Sequence, residues 1–361
     1  MINVTKTYLP DREKYKKYID EIYESSWITN NGPMLQKLEK RLSEYLGVKN
    51  IVLVANGTVA LEVAYSVLDI KNYVLTTPFS FVATTSSLVA NGLKPIFIDI
   101  DSASLNMDVK KIEQSITKHT SAIVPVHVFG NACDVEEIET IAKKHKLKVV
   151  YDAAHAFDVK FKGESILNYG DISTLSFHAT KLFHTIEGGA LIINDDTLVQ
   201  KARDLINFGI ENEQSIPNLG TNGKMNEFEA AMGLLVLDEM EIIKEGRKAV
   251  YKLYQKEFED CISYPKHNSN STLNYSYFPI ICESESSLEK IKKALNKNEI
   301  FPRRYFYPSL DTLDYIEPKQ CCDISRDISK RILCLPMYPE LKREEQLKII
   351  KIVKEVVYEK L

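Results

Sequence analysis

Through about residue 240 the chain repeats one unit: a short apolar run, a loop, then a segment with apolar residues at helical spacing. Ile51-Val52-Leu53-Val54-Ala55, for example, precedes a run whose Ala60, Leu61, Ala64, Val67 and Leu68 fall on one face. Repetition of strand, loop and helix marks a doubly wound α/β sheet. The helices expected are Met34–Leu46, Val59–Leu68, Val109–Ile116, Val135–His145 and Asn226–Met240, the last running into Glu241-Ile242-Ile243-Lys244-Glu245 as a long connecting helix. Beyond it the pattern changes. Tyr275–Ile281 reads as a strand, while Leu288–Leu295 and Leu347–Val357 read as helices. The expectation is a large α/β domain over 1–240 and a smaller α+β domain over 241–361. The polar stretch His267–Thr272 reads as an exposed loop.

Charge and cysteine usage narrow the function classes. A hydrophobic share of 44% and a charged share of 27% are those of an ordinary globular protein. The net charge of −4 gives no reason to expect nucleic-acid binding. No run approaches the ~18 apolar residues of a membrane helix, and Met1–Lys6 lacks the apolar core of a secretory signal. The six cysteines form no C-x-x-C pair and no metal spacing with the histidines, so they read as reduced thiols, most of them core residues. A cytoplasmic protein without a metal site is expected.

The chemistry concentrates in Ser176-Phe177-His178-Ala179-Thr180-Lys181, followed by Glu187-Gly188-Gly189-Ala190. A strand-like run ends in a small-residue turn holding one lysine, and paired glycines open the next strand, Ala190–Ile193. Burial lowers a lysine pKa, and the free amine is the form that condenses with a carbonyl. In a lysine-rich chain an ordinary turn lysine is the simpler reading of this stretch alone. An amine that binds pyridoxal phosphate needs three companions: a carboxylate for the ring nitrogen, a phosphate cradle and a flat group against the ring. Asp152 follows the buried strand Leu147–Tyr151, at the strand end where α/β sheets bind ligands; a helix N-cap is the alternative role. Asn56-Gly57-Thr58 lies between a strand and a helix, where free N–H groups and the helix dipole attract an anion. Ser176 is a second phosphate donor. Phe81 is either the stacking group or a core aromatic.

Taken in order, these segments resemble the sugar-nucleotide aminotransferases of the DegT type, a pyridoxal-phosphate family with the aspartate-aminotransferase fold (fold type I). The resemblance runs from Trp27-Ile28-Thr29-Asn30-Asn31-Gly32-Pro33 through Asn91–Ile100, Pro125–Asn131 and Gly220-Thr221-Asn222 to Leu335–Pro339. It implies that Lys181 holds the cofactor carbonyl and Asp152 partners the ring nitrogen. It sets His155 near the ring hydroxyl, Gly57, Thr58 and Ser176 on the phosphate, and Phe81 on the ring. Asn222 matches an asparagine that reaches the phosphate of a neighbouring subunit, which implies a homodimer with shared sites; the alternative is a cap on its own helix. Leu182, and Pro308-Ser309-Leu310, depart from the common pattern at positions outside the cofactor set.

The resemblance implies a transaminase taking its amine from L-glutamate and passing it to a nucleotide-linked keto-sugar. Trp27–Pro33 and Asn131-Ala132-Cys133-Asp134 look most like enzymes that aminate dTDP-4-keto-6-deoxyglucose at C4 for surface polysaccharides. Transfer at C3 of a dTDP-3-keto-6-deoxyhexose, or to a UDP-keto-sugar, remains an alternative. A pyridoxal-phosphate sugar dehydratase is disfavoured by Lys181, since that chemistry carries histidine there. A non-catalytic regulator has no need of Lys181, Asp152 and the cradle together. One basic residue serving both substrates is expected among Arg303, Arg304 and Lys224.

Overall fold

In the computed structural model, which describes residues 1–358, seven strands form one central sheet. These are β2 (Ile51–Val54), β3 (Tyr73–Thr76), β4 (Lys94–Phe97), β5 (Thr120–Val124), β6 (Lys148–Asp152), β9 (Ile172–Ser176) and β10 (Gly189–Ile193), in the spatial order β2-β10-β9-β6-β5-β3-β4. Every pairing is parallel except those of β10, which runs against both β9 and β2. Near-continuous apolar strands are what a sheet covered on both faces requires. Alternate residues point to opposite faces. Leu53, Leu75, Ile123, Tyr151 and Ile192 join one buried cluster with α2 (Pro33–Leu46), α5 (Val135–His145) and α7 (Glu227–Asp238). Val52, Val54, Val74, Val124 and Leu191 join the other, with α3 (Gly57–Val67), α4 (Val82–Ala90) and α6 (Val199–Leu205).

The remaining elements pack around this frame. Helix α1 (Arg12–Ser25) lies on α7, and β7 (Lys160–Phe161) pairs with β8 (Glu164–Ser165). A third buried cluster is built by α8 (Met240–Phe258), α9 (Glu285–Lys297) and α11 (Arg343–Tyr358), with β11 (Pro279–Ile281) paired to β13 (Ile332–Cys334). Helix α10 (Asp323–Arg331) leads into β13. The chain's first strand, β1 (Ile2–Asn3), pairs in parallel with β12 (Ile300–Phe301), and Ile2 is buried in this C-terminal cluster. No local pattern in the chain signals that long-range pairing. Four of the six cysteines, Cys133, Cys282, Cys322 and Cys334, are buried. Among the described residues no helix is long and apolar enough to cross a membrane.

Three expected elements differ. Val109–Ile116 is two 3₁₀ turns, Val109–Lys111 and Glu113–Ser115, closed by i→i+3 bonds such as Ser115 N–H to Ile112 O. Ile112 is its one fully buried apolar anchor, too little to hold a full α-helical stripe. The long connecting helix breaks at Glu239 (φ −107°, ψ 10°), so α7 and α8 are separate. The strand expected over Tyr275–Ile281 pairs only from Pro279 onward. Tyr275 takes a positive φ of 56°, and Ser276 N–H donates to the Asn274 side chain instead of a ladder partner.

Candidate active site

Sheet order brings the separated motifs together. Strands β6 and β9 are parallel, with Asp152 opposite Thr174. Because β10 is antiparallel to β9 and β2, its first residue, Gly189, lies opposite both Ser176 and Val54. The carboxyl ends of β2, β6 and β9 therefore share one edge of the sheet, the position from which open α/β sheets bind ligands. A cavity of ≈ 600 Å³ opens there, lined by Gly57, Thr58, Phe81, Asp152, His155, Ser176 and Lys181. Seven of the eight residues singled out from the sequence thus meet in one place.

The cradle at the start of α3 depends on close backbone approach. Asn56 caps the helix, its side chain accepting from Val59 N–H at 2.9 Å. The N–H groups of Gly57 and Thr58, in the first turn, have no intrahelical acceptor. A Cβ on Gly57 would lie 2.8 Å from Ser176 Cβ, and one on Gly189 would lie 2.6 Å from the Asn56 carbonyl carbon. Only glycine lets β9, β10 and the helix start converge so closely, leaving amide donors and the Ser176 hydroxyl at one wall.

Asp152 is buried at the end of β6, where burial raises its pKa. The Thr84 hydroxyl donates to Oδ2 (2.7 Å) and Ala154 N–H to Oδ1 (3.1 Å), both opposing that rise, as does the nearby Lys181. Ser80 and Thr84 share a further hydrogen bond of 2.6 Å behind it. No helix follows Asp152 directly, so it caps none. A carboxylate buried in this way is stabilised by a cationic partner. His155 is buried and stacked on Phe129 and Phe306, and its Nδ1 accepts from Phe129 N–H at 3.2 Å. Burial first, and Lys181 second, hold His155 well below its ordinary value, so it is neutral with the proton on Nε2.

Lys181 sits in a turn in which its own N–H donates to His178 O and Thr185 N–H donates to Phe177 O. Burial lowers its pKa from 10.5 to about 8, against the opposing pull of Asp152. Its Nζ donates to Tyr277 Oη at 3.4 Å. Tyr277, Thr84 and the aromatic wall of Tyr305 and Phe306 were not found by sequence reasoning. An aromatic in an apolar run carries the signature of core, and nothing local shows that Tyr277 faces a lysine 96 residues away.

Phe81 is half-exposed at the cavity wall, just before α4, and is therefore not a core aromatic. Of the three basic candidates only Arg303 lines the cavity, and among the described residues it makes no ion pair. Arg304 is occupied by Glu285 (2.9 Å) and Glu289 (3.1 Å), which removes it as a substrate ligand. Lys224 donates to Asn207 Oδ1 and lines a separate cavity with Asn30, Asn31 and Arg203. Asn222 is exposed and outside its own chain's cavity. It does not cap α7, because Asn226 does, in a reciprocal capping box with Glu229. Leu182 and Ser309 are buried away from the cavity, Ser309 bonded to Asp311 and Ser325.

An amide-and-hydroxyl wall for a phosphate, a buried carboxylate for a ring cation and a buried amine of lowered pKa for a carbonyl fit pyridoxal phosphate. Comparison with known proteins points the same way. Residues 10–354 match the model of the DegT/DnrJ/EryC1/StrS aminotransferase family. A dTDP-4-amino-4,6-dideoxy-D-glucose transaminase of Shigella dysenteriae is 46% identical over 98% of this chain and 99% of its own length. Its namesake in Escherichia coli is 40% identical over 98% of each. Among solved structures, DesI in the presence of its TDP-sugar product superposes with a TM-score of 0.94 at 27% identity, covering 99% of this chain and 93% of DesI.

Proposed function

Since the chain belongs to the DegT/DnrJ/EryC1/StrS aminotransferase family, we propose that it moves an amino group from L-glutamate to C4 of dTDP-4-dehydro-6-deoxy-D-glucose. The product is dTDP-4-amino-4,6-dideoxy-D-glucose, made in the cytoplasm for surface polysaccharide. The observation that carries the reading is Lys181 and Asp152 meeting the Gly57–Thr58 cradle in one cavity, in a chain 46% identical to a transaminase of that name.

Pyridoxal phosphate, when bound, supplies a carbonyl for the donor's amine and a ring that withdraws electrons. Gly57 and Thr58 N–H and the Ser176 hydroxyl hold its phosphate. Asp152 would keep the ring nitrogen protonated, and neutral His155, stacked on Phe129 and Phe306, would serve the ring hydroxyl. Phe81 covers the ring from the cavity mouth. With Lys181 at about 8, about one amine in ten is free at pH 7, against fewer than one in about a thousand at the ordinary value. The free Nζ would take the donor's α-proton and return it at the cofactor's carbonyl carbon, on the far side of the transferred nitrogen, acting as base and then acid. Arg303, at the cavity wall over the Tyr305 ring and without an ion pair among the described residues, serves the glutamate carboxylate and the sugar diphosphate in turn.

Asn222, exposed and not part of the lining of its own chain's cavity, serves the phosphate of a second copy, so the active form is a homodimer with shared sites. Incubating the protein with pyridoxal phosphate, L-glutamate and a panel of dTDP-, UDP- and GDP-linked keto-sugars tests the assignment by mass and NMR of the products. Amination of the dTDP-4-keto sugar at C4 is expected. Faster amination of any other member would replace the substrate, and no amination of any would remove the activity.

A further inference from the structure

Among the described residues the Lys181 amine makes one hydrogen bond, to the Tyr277 hydroxyl. Its ring is fixed from several sides: against His155 at 4.6 Å, Phe129 at 5.5 Å and edge-on to Tyr305 at 5.7 Å. The backbone leading to it is held as firmly. Asn274 is buried, and its amide donates to His155 O (2.8 Å) and Phe157 O (3.0 Å) while its oxygen accepts from Ser276 N–H (3.2 Å). Buried Arg247 donates to Ser276 O at 3.1 Å. One side-chain amide thus ties the turn after β6, which bears His155, to the segment bearing Tyr277, and the positive φ of Tyr275 is the turn that aims that segment inward. This is also why the ladder of β11 starts only at Pro279.

We propose that Tyr277 is the positioning residue for the catalytic amine: its hydroxyl holds Lys181 Nζ at the cavity wall whenever that nitrogen is not joined to the cofactor. The inference rests on the transaminase reading and goes beyond it, because the amine must be released in each half-reaction and then reach the α-proton without searching rotamers. A flexible four-carbon stem returned to one place loses less entropy at the moment of proton transfer. The groups facing the pair are Asp152 and His155 on the Lys181 side, and Cys334, Arg247, Arg303 and Tyr305 around the phenol. Burial and the neighbouring Cys334 push the phenol up, against Arg247 and Arg303, so it stays neutral and the interaction is a hydrogen bond, not an ion pair.

The sign of its effect follows. A neutral acceptor favours the ammonium over the amine, so deleting the hydroxyl lowers the Lys181 pKa further. Competitive acetylation of the apoprotein with trace acetic anhydride, read by mass spectrometry across pH, should give a Lys181 midpoint near 8. In Tyr277→Phe, which keeps the ring, that midpoint should fall by about half a unit to one unit. The holoenzyme should lose about tenfold in kcat with KM for the amino donor within about twofold. Tyr277→Leu removes ring and hydroxyl together. Wild-type midpoint and kcat in Tyr277→Phe, with loss only in Tyr277→Leu, would make Tyr277 a packing residue and overturn the proposal. Failure of the underlying reading looks different: Lys181→Ala would then keep its activity whatever Tyr277 does.

Discussion

Asp152 shows how a functional residue opposes stability. Its carboxylate is buried and its pKa raised by that burial, so its ionised form costs stability in the apoprotein as pH rises through the raised value. Asp152→Asn removes the charge with little change of shape. The amide oxygen can keep Ala154 N–H, and the amide nitrogen can donate to Thr84 once the Ser80–Thr84 hydrogen bond reverses, since either hydroxyl can be its donor. The apoprotein of Asp152→Asn should therefore melt at or above the wild-type temperature. Transamination should fall by about a thousandfold or more, on the order of 4 kcal/mol of barrier, because an amide cannot hold the ring nitrogen protonated. Calorimetry of the apoprotein with steady-state rates of the holoenzyme checks both signs, and near-normal rates would move the role to another carboxylate. Lys181, Asp152 and Gly57 were legible because strand ends and glycine turns have local signatures. Thr84 and Tyr277 were not, since each acquires its meaning from a partner 68 and 96 residues away.

At the scale of elements, α7 holds the start of α2 through one buried side chain. Gly32 precedes α2 and offers no side-chain cap. Glu227, buried at the first position of α7, accepts instead from Met34 N–H (2.7 Å) and Leu35 N–H (3.1 Å), while its own N–H donates to Ile28 O. A carboxylate there also faces the positive end of the helix dipole. Glu227→Ala leaves two buried donors unsatisfied and should cost about 2–4 kcal/mol, with the Ile28–Gly32 loop loosened. Chemical denaturation of the apoprotein measures the cost, and a loss under about 0.5 kcal/mol would show that water replaces the carboxylate. The helical pattern of α2 and α7 was plain from residue spacing. Their joint was not, because a glutamate at a helix start reads as a solvated charge until the facing helix is in place.

At the scale of the whole molecule, the loop from Asn207 to Asn222 stands out from the fold. Phe208, Ile216 and Leu219 on it are each more than half exposed, and Trp27 and Ile28 are also exposed. Apolar side chains left in solvent suit a protein partner, and in the proposed homodimer that partner is a second copy whose cavity receives Asn222. Mixing Asn222→Ala with Lys181→Ala subunits tests the shared site. In a heterodimer one pocket carries both lesions and the other neither, so a 1:1 mixture, assayed at a cofactor concentration at which each parent alone is inactive, should regain about a quarter of wild-type activity. No recovery, with subunit exchange shown by mass spectrometry, would mean Asn222 serves its own chain.

The order of apolar runs and helical faces was enough to specify a doubly wound sheet, and local turn chemistry was enough to mark the carboxyl ends of β2, β6 and β9. These are properties of neighbouring residues, and periodicity records them. Sequence periodicity could not specify that β10 reverses between β9 and β2, which is what brings Gly57, Asp152 and Lys181 to a single edge. Nor could it specify that β1 pairs with a strand almost 300 residues away. Strand order is chosen by the packing of two whole faces of apolar surface, a sum over the entire chain that no window of it contains. Tyr277 facing Lys181 is decided by the same sum.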